Sequence, residues 1–190
     1  FQETRDQKLY DLAVNAGETL LGHQSPDGGY TVRWDYPRET TTGLKTWRAP
    51  NDSAFLASHG LLPLYDETGD KRYLDAATAV GNWVTEEALR DDGHLAFGDA
   101  DGWDFSRLYV DAGFTTTLFE RLYERDGAQR WVDACRSFVD WFVNHLYLSD
   151  EDRFIKTWEA SGNHGTERYT RGQAWALDGL ISAFELLSRD

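Results

Sequence analysis

The chain has one cysteine, Cys135, no methionine and only four prolines. A single cysteine excludes an internal disulfide and a cysteine-based zinc cluster. No run approaches the roughly 18 apolar residues of a membrane span. The start, Phe1-Gln2-Glu3-Thr4-Arg5, is polar and unlike a signal peptide, so a cytoplasmic location is expected. The lack of an initiator methionine fits a segment that was processed or cut from something longer. Positive charge is also scarce: 19 bases, four of them Lys, stand against 33 acids, 21 of them Asp, for a formal charge of -14. A nucleic-acid-binding face must neutralise phosphates, so neither nucleic acid nor an anionic membrane is an expected partner. The acids are spread evenly, as in a chain kept hydrated in high salt, where screening relieves self-repulsion. An ordinary acidic protein is the alternative. Aromatics are plentiful, with eight Trp, nine Tyr and ten Phe in 190 residues, which excludes a disordered chain. The length suits one domain with a real core.

The dominant pattern is an internal repeat. Tyr65-Asp66-Glu67-Thr68-Gly69-Asp70-Lys71-Arg72-Tyr73 matches Tyr123-Glu124-Arg125-Asp126-Gly127-Ala128-Gln129-Arg130-Trp131 at an offset of 58 residues. Each copy reads as helix, glycine turn, helix, with Gly69 and Gly127 as left-handed helix ends. The second helix of each pair carries one apolar stripe: Tyr73, Ala77, Val80, Val84 and Ala88, then Trp131, Cys135, Phe138, Phe142 and Leu146. Steps of three and four residues give one buried face. The first helices, 51–64 and 111–122, are rich in small and apolar residues and read as buried nearly all round. A third such helix starts near Arg171, with Ala174, Trp175, Leu177, Leu180, Ile181, Phe184 and Leu187 as its apolar residues. An opening helix over 7–21 ends at Gly22. Strand patterning is weak, with short ribbons at 30–34 and 154–158.

Helical hairpins with an inner and an outer helix, joined by long Gly-, Trp- and Asp-rich loops, define an all-α fold, an (α/α) toroid. A solenoid is the alternative, but its loops are usually short. Six pairs at this period need roughly 360 residues. Residues 1–190 therefore read as a single (α/α)-barrel domain, about half of an (α/α)6 barrel and incomplete at its C-terminal end. The other readings are a truncated chain, or a homo-oligomer in which another copy completes the ring.

Asp52, Asp111 and Arg171 open the three inner helices at spacings of 59 and 60 residues. Inner-helix N-termini would share one mouth of the ring, where backbone N–H groups favour anions. Asp52 and Asp111 can be read as mere N-caps. Arg171 cannot, because a cation at a helix start opposes the dipole, so it is expected to meet Asp52, Asp111 or a ligand carboxylate. Two adjacent carboxylates cannot both ionise freely, so one can stay protonated as a general acid. The arginine can grip a substrate carboxylate. Loop aromatics Trp34, Trp47, Trp103, Trp158 and Tyr169 suit stacking on sugar rings, with core packing as the alternative for each.

Tyr169-Thr170-Arg171-Gly172-Gln173-Ala174-Trp175-Ala176, followed by Gly179, resembles the unsaturated glucuronyl hydrolases, glycoside hydrolase family 88, and the related unsaturated rhamnogalacturonyl hydrolases of family 105. Val110-Asp111-Ala112-Gly113-Phe114 resembles the family's catalytic-aspartate segment, and Asn51-Asp52-Ser53-Ala54-Phe55 its upstream His-Asp segment. The resemblance covers about residues 45–188. It implies an (α/α)6 barrel that hydrolyses oligosaccharides bearing a 4,5-unsaturated uronate at the non-reducing end. It also implies that an aspartate protonates the vinyl ether, with no metal or cofactor. Carried over, Asp111 is the general acid and base and Asp52 the second carboxylate. Arg171, Gln173 and Trp175 shape the site, with Tyr169, His164 and Trp47 as further substrate contacts. Here Tyr169 replaces the usual Trp, Asn51 the usual His, and His164-Gly165-Thr166 the Gln-Gly-Tyr loop, while Asp178 stands where an aromatic is common.

Other signals point elsewhere. His59, seven residues after Asp52, reads as a hydrogen-bonded core residue, and His23, His94 and His145 have no metal-ligand pairing. The run 99–104 partly resembles a calcium loop but lacks the third spaced oxygen and the terminal Glu. Two other function classes fit a toroid. A sugar epimerase or isomerase would need a histidine pair at the inner-helix starts, and a non-catalytic carbohydrate-binding module would need only the aromatics.

Overall fold

The computed structural model describes residues 6–31, 47–100 and 102–189. Trp34, Asp101 and the end of the ribbon expected at 30–34 lie outside them. The first helix, α1 (Gln7–His23), starts where the Asp6 carboxylate accepts hydrogen bonds from the Lys8 and Leu9 N–H groups. It runs past Gly22, and Tyr30 and Thr31 make only isolated bridges, to Gln24 and Arg48.

The first inner helix begins as α2 (Pro50–Leu56), with proline in its first turn. It passes through one π turn (Ala57–Leu61) and continues as α3 (Leu62–Thr68). Pro63 has no N–H to offer the carbonyl four residues back, and the wider turn, in which Leu62 N–H reaches Ala57 O, absorbs that defect. At Gly69, with φ of 71°, the chain reverses into the outer helix α4 (Lys71–Trp83), capped by Asp70. The next inner helix, α5 (Phe114–Asp126), reverses at Gly127, φ 63°, into the outer helix α6 (Gln129–Leu146). In both turns the glycine N–H returns to the tyrosine four residues back, at 2.8 Å. The inner helices α2 and α5 lie side by side, and α5 packs in turn against α7 (Thr170–Leu187).

Both outer stripes form the core as expected, and every one of their ten residues is at most 1% exposed. The α7 stripe does not. Leu177, Ile181 and Phe184 are 58%, 50% and 73% exposed, while Gly172, Ala176, Gly179 and Ala183 are buried. Close approach is the reason. A Cβ at Gly179 would collide with the Gly113 carbonyl, and one at Gly172 with Val110. Thr116 Oγ1 donates to Gly179 O at 2.6 Å across the same seam. Small residues therefore line the seam with α5, and Leu177, Ile181 and Phe184 are turned away.

The ribbon expected at 154–158 is split between two antiparallel pairs. One joins β2 (Tyr147–Leu148) to β3 (Arg153–Phe154). The other joins β1 (Arg107–Tyr109) to β4 (Thr157–Glu159). The second pair feeds directly into a 3-10 turn (Val110–Gly113) that carries Asp111. Among the described residues no helix is long and apolar enough to cross a membrane.

Candidate active site

The N-terminal ends of the three inner helices meet at one cleft of about 260 Å³. Asp52, Asp111, Arg171, Tyr169 and Trp47 line it, joined by Asn51, Phe97, Tyr109 and Lys156. The seam described above does the positioning. Because Gly172 lies against Val110, Arg171 is brought to the residue that precedes Asp111.

Neither aspartate is a helix cap. The N-cap of α2 is Ala49 and that of the 3-10 turn is Tyr109, and neither uses a side chain. Asp52 faces the cleft with an Asn51 Nδ2–H bond at 3.4 Å, and surrounding protein raises its pKa above the ordinary carboxylate range. Asp111 is pushed further, to about 6, first by burial and then by the negative charge of Asp52. Its own N–H, the Ala112 N–H and Arg171 pull the other way and are outweighed. The Asp111 Oδ1 atom is buried without a hydrogen-bond partner. A carboxyl group in that position is a proton donor near neutral pH.

Arg171 has no carboxylate within ion-pair distance among the described residues, although Asp111 feels its charge at longer range; of the partners expected for it, a ligand carboxylate stays open. Its guanidinium donates to the Tyr169 hydroxyl, from Nε at 2.8 Å, and lies 4.4 Å from the Trp175 ring centre. Tyr169 and Trp175 hold it as a rigid cation. Trp175 itself sits one layer beneath, 5.3 Å from Phe114, which is 4.8 Å from Phe55. None of these three rings lines the cleft itself.

Two expected contacts lie elsewhere. The Gln173 amide is committed to the backbone of β3, donating to Phe154 O and accepting from Phe154 N–H, both at 2.9 Å. It anchors a loop and does not line the cleft. His164 Nδ1 accepts from the Glu159 N–H at 3.0 Å, with its ring beside Trp158. It caps a turn outside the mouth. His59 is hydrogen-bonded to Ser58 Oγ at 2.8 Å, as expected, but its side chain is 29% exposed rather than in the core, and it stands 3.7 Å from Asp178. The residue missed is Lys156, which follows β3 and lines the cleft with its ammonium 2.7 Å from Glu167. Its rarity was the available signal, as one of four lysines in the chain. In the calcium-like run, Asp99 is bound to Arg48 and Asp104 to Ser106. Among the described residues no group of three or more His, Cys, Asp or Glu could hold a metal.

No protein-family model matches the sequence, and no curated protein matches it. Solved structures do match. The unsaturated glucuronyl hydrolase of Streptococcus agalactiae superposes with a TM-score of 0.70 at 17% identity, over 98% of this chain and 46% of that one. The cellobiose 2-epimerase of Bacillus thermoamylovorans gives 0.78 at 14% identity, over 98% and 49%. A family 76 glycoside hydrolase (mannosidase) of Bacteroides thetaiotaomicron gives 0.74 at 14% identity, over 98% and 51%. These likenesses establish the fold, an (α/α) toroid of helical hairpins. The chain spans about half the length of the structures it matches.

Proposed function

We propose that the chain is a carbohydrate-active enzyme that acts on oligosaccharides whose non-reducing end is a 4,5-unsaturated uronate. The observation that carries this reading is Asp111: a buried carboxyl with a pKa near 6 and an unpartnered oxygen, facing a cleft that also holds Asp52, Arg171 and Lys156. The two cations are suited to the uronate carboxylate. The protonated Asp111 gives its proton to C4 of the vinyl ether, and the positive charge develops at C5 and the ring oxygen. Asp52, ionised, faces that charge. Water adds to C5 and returns its proton to Asp111, which restores the acid. The resulting hemiketal opens, and the glycosidic bond is lost with the leaving sugar.

The epimerase likeness favours a second reading only at the level of fold. An epimerase of the kind weighed above needs paired histidines at the inner-helix starts, and no histidine lines this cleft among the described residues. The test uses an unsaturated chondroitin or pectin disaccharide and follows the ultraviolet absorbance of its double bond. Wild type consumes the absorbance and Asp111→Asn does not. Undiminished turnover by Asp111→Asn removes the site assignment. Saccharide binding without turnover in wild type assigns the chain to the binding-module class instead.

A further inference from the structure

Five of the seven large hydrophobic side chains exposed among the described residues lie on two helices, Leu9 and Leu12 on α1 and Leu177, Ile181 and Phe184 on α7. These helices are the two edges of the arc of hairpins: α1 packs on α3 and α4, and α7 on α5 and α6. Apolar patches of this kind mark interaction surfaces. We propose that the two edges are the halves of one interface, and that a second copy of this chain, related by a two-fold axis, covers both and closes the ring.

The α7 helix is built for two neighbours and has one. Helical geometry puts Leu177, Ile181 and Phe184 on the side opposite Gly172, Gly179 and Ala183. The glycine side is filled by α5, so closely that a Cβ at Gly179 has no room. The middle inner helix shows what two neighbours do: α5 lies between α2 and α7, and every residue from Phe114 to Glu120 is buried. On α7 the second side is bare, and no charge disguises it. Ala174 and Ser188 extend the stripe, which runs the length of the helix without a charged residue.

The other edge matches in direction and height. A Cβ at Gly17 would meet Leu64, and one at Gly60 would meet Leu20, so α1 runs antiparallel to the first inner helix. In the repeat, Leu64 corresponds to Ala183, each twelve residues past the Asp52 or Arg171 that opens its helix. A hairpin set beside α7 at the repeat's own step therefore brings Leu12 to the last turn of α7, next to Phe184, which is 73% exposed. Two copies are the number that closes. Three inner helices make half a ring, and the chain matches about half the length of each toroid it superposes on. A head-to-tail contact that closes gives a defined ring, and one that does not gives open filaments. The bare side of α7 starts at the mouth, beside Arg171, so the second copy also supplies a wall of the site. Only that last point rests on the hydrolase reading.

Sedimentation velocity on the 190-residue chain should give twice the chain mass and nothing larger. Each copy carries a charge of -14, so added salt should tighten the association by screening. Phe184→Glu and Leu12→Glu, on opposite edges, should each give a monomer that keeps the helical circular dichroism of wild type, since both side chains are exposed. Disulfide trapping then reads the pairing. Cys135 is buried, so Phe184→Cys and Leu12→Cys each introduce one accessible thiol. Oxidation of the mixed variants should yield a disulfide dimer with one chain of each, and neither variant should cross-link alone. A monomeric wild type, which leaves the face to a partner of different sequence, overturns the proposal. So do open-ended polymers, an association that salt weakens, or a disulfide formed by Phe184→Cys alone. Monomeric Phe184→Glu should also lose about tenfold in kcat/KM on an unsaturated disaccharide, although the substitution lies far from the mouth. Full activity in that monomer overturns the role of the second copy at the site. Absence of turnover in wild type overturns the hydrolase reading, and mass and trapping then decide the ring alone.

Discussion

The buried stripe of α6 and the mouth in front of α5 belong to the same hairpin and are built to opposite rules. On α6, Trp131, Cys135, Phe138, Phe142 and Leu146 are fully packed, and the Trp131 indole N–H is paired with Asp126 at 3.0 Å. At the mouth, a buried carboxyl oxygen of Asp111 has no hydrogen-bond partner, and among the described residues Arg171 has no carboxylate within ion-pair distance. Unsatisfied groups of this kind cost stability. They persist where a ligand completes them, in keeping with the function proposed for the mouth.

The largest expected effect at the mouth is chemical. Asp111→Asn should lower turnover of an unsaturated disaccharide by about 100-fold or more, the scale of general acid catalysis. The matching change on the buried stripe, Phe138→Ala, should cost about 3–5 kcal/mol in denaturant unfolding and leave the activity of the folded fraction intact. Loss of activity per folded molecule in Phe138→Ala would erase the division.

The mouth aspartate should also be a liability to stability, with a definite sign. The native pKa of Asp111, about 6, lies above that of an unfolded aspartate, so the native state holds the extra proton in between. Stability is therefore lost as pH rises from about 4 through 6. Asp111→Asn should be more stable than wild type at pH 7, by about 1–3 kcal/mol. The gain should vanish below about pH 4 in parallel denaturant titrations.

Smaller effects separate the residues that touch substrate from those that hold the frame. Arg171→Ala should raise KM for anionic substrates about tenfold, with less change in kcat. Gln173→Ala should leave KM unchanged and cost about 1–2 kcal/mol of stability, because the Phe154 backbone loses both of its partners.

The hairpins were legible because they are local. Glycine ends and helical stripes lie within single hairpins, the repeat shows them twice at an offset of 58 residues, and Gly69 and Gly127 have the backbone the pattern demands. The alignment of Asp52, Asp111 and Arg171 was legible because the repeat carries it. What could not be read depends on contacts far apart in sequence. The commitment of Gln173 to Phe154, the turn that absorbs His164, and the arrival of Lys156 in the cleft all follow from strand pairings that two- and three-residue strands do not announce. The exposed side of α7 was misread because a stripe of small residues, invisible to a hydrophobic pattern, decides which side faces α5.

The central claim is that burial and Asp52 raise the pKa of Asp111, which makes it a better-poised proton donor than an ordinary aspartate. Carboxyl-carbon NMR titration of Asp111, in wild type and in Asp52→Asn, tests it without any need for turnover. The account predicts a wild-type midpoint near 6 that falls when Asp52 loses its charge. A wild-type midpoint in the ordinary aspartate range, or one unmoved in Asp52→Asn, would contradict it.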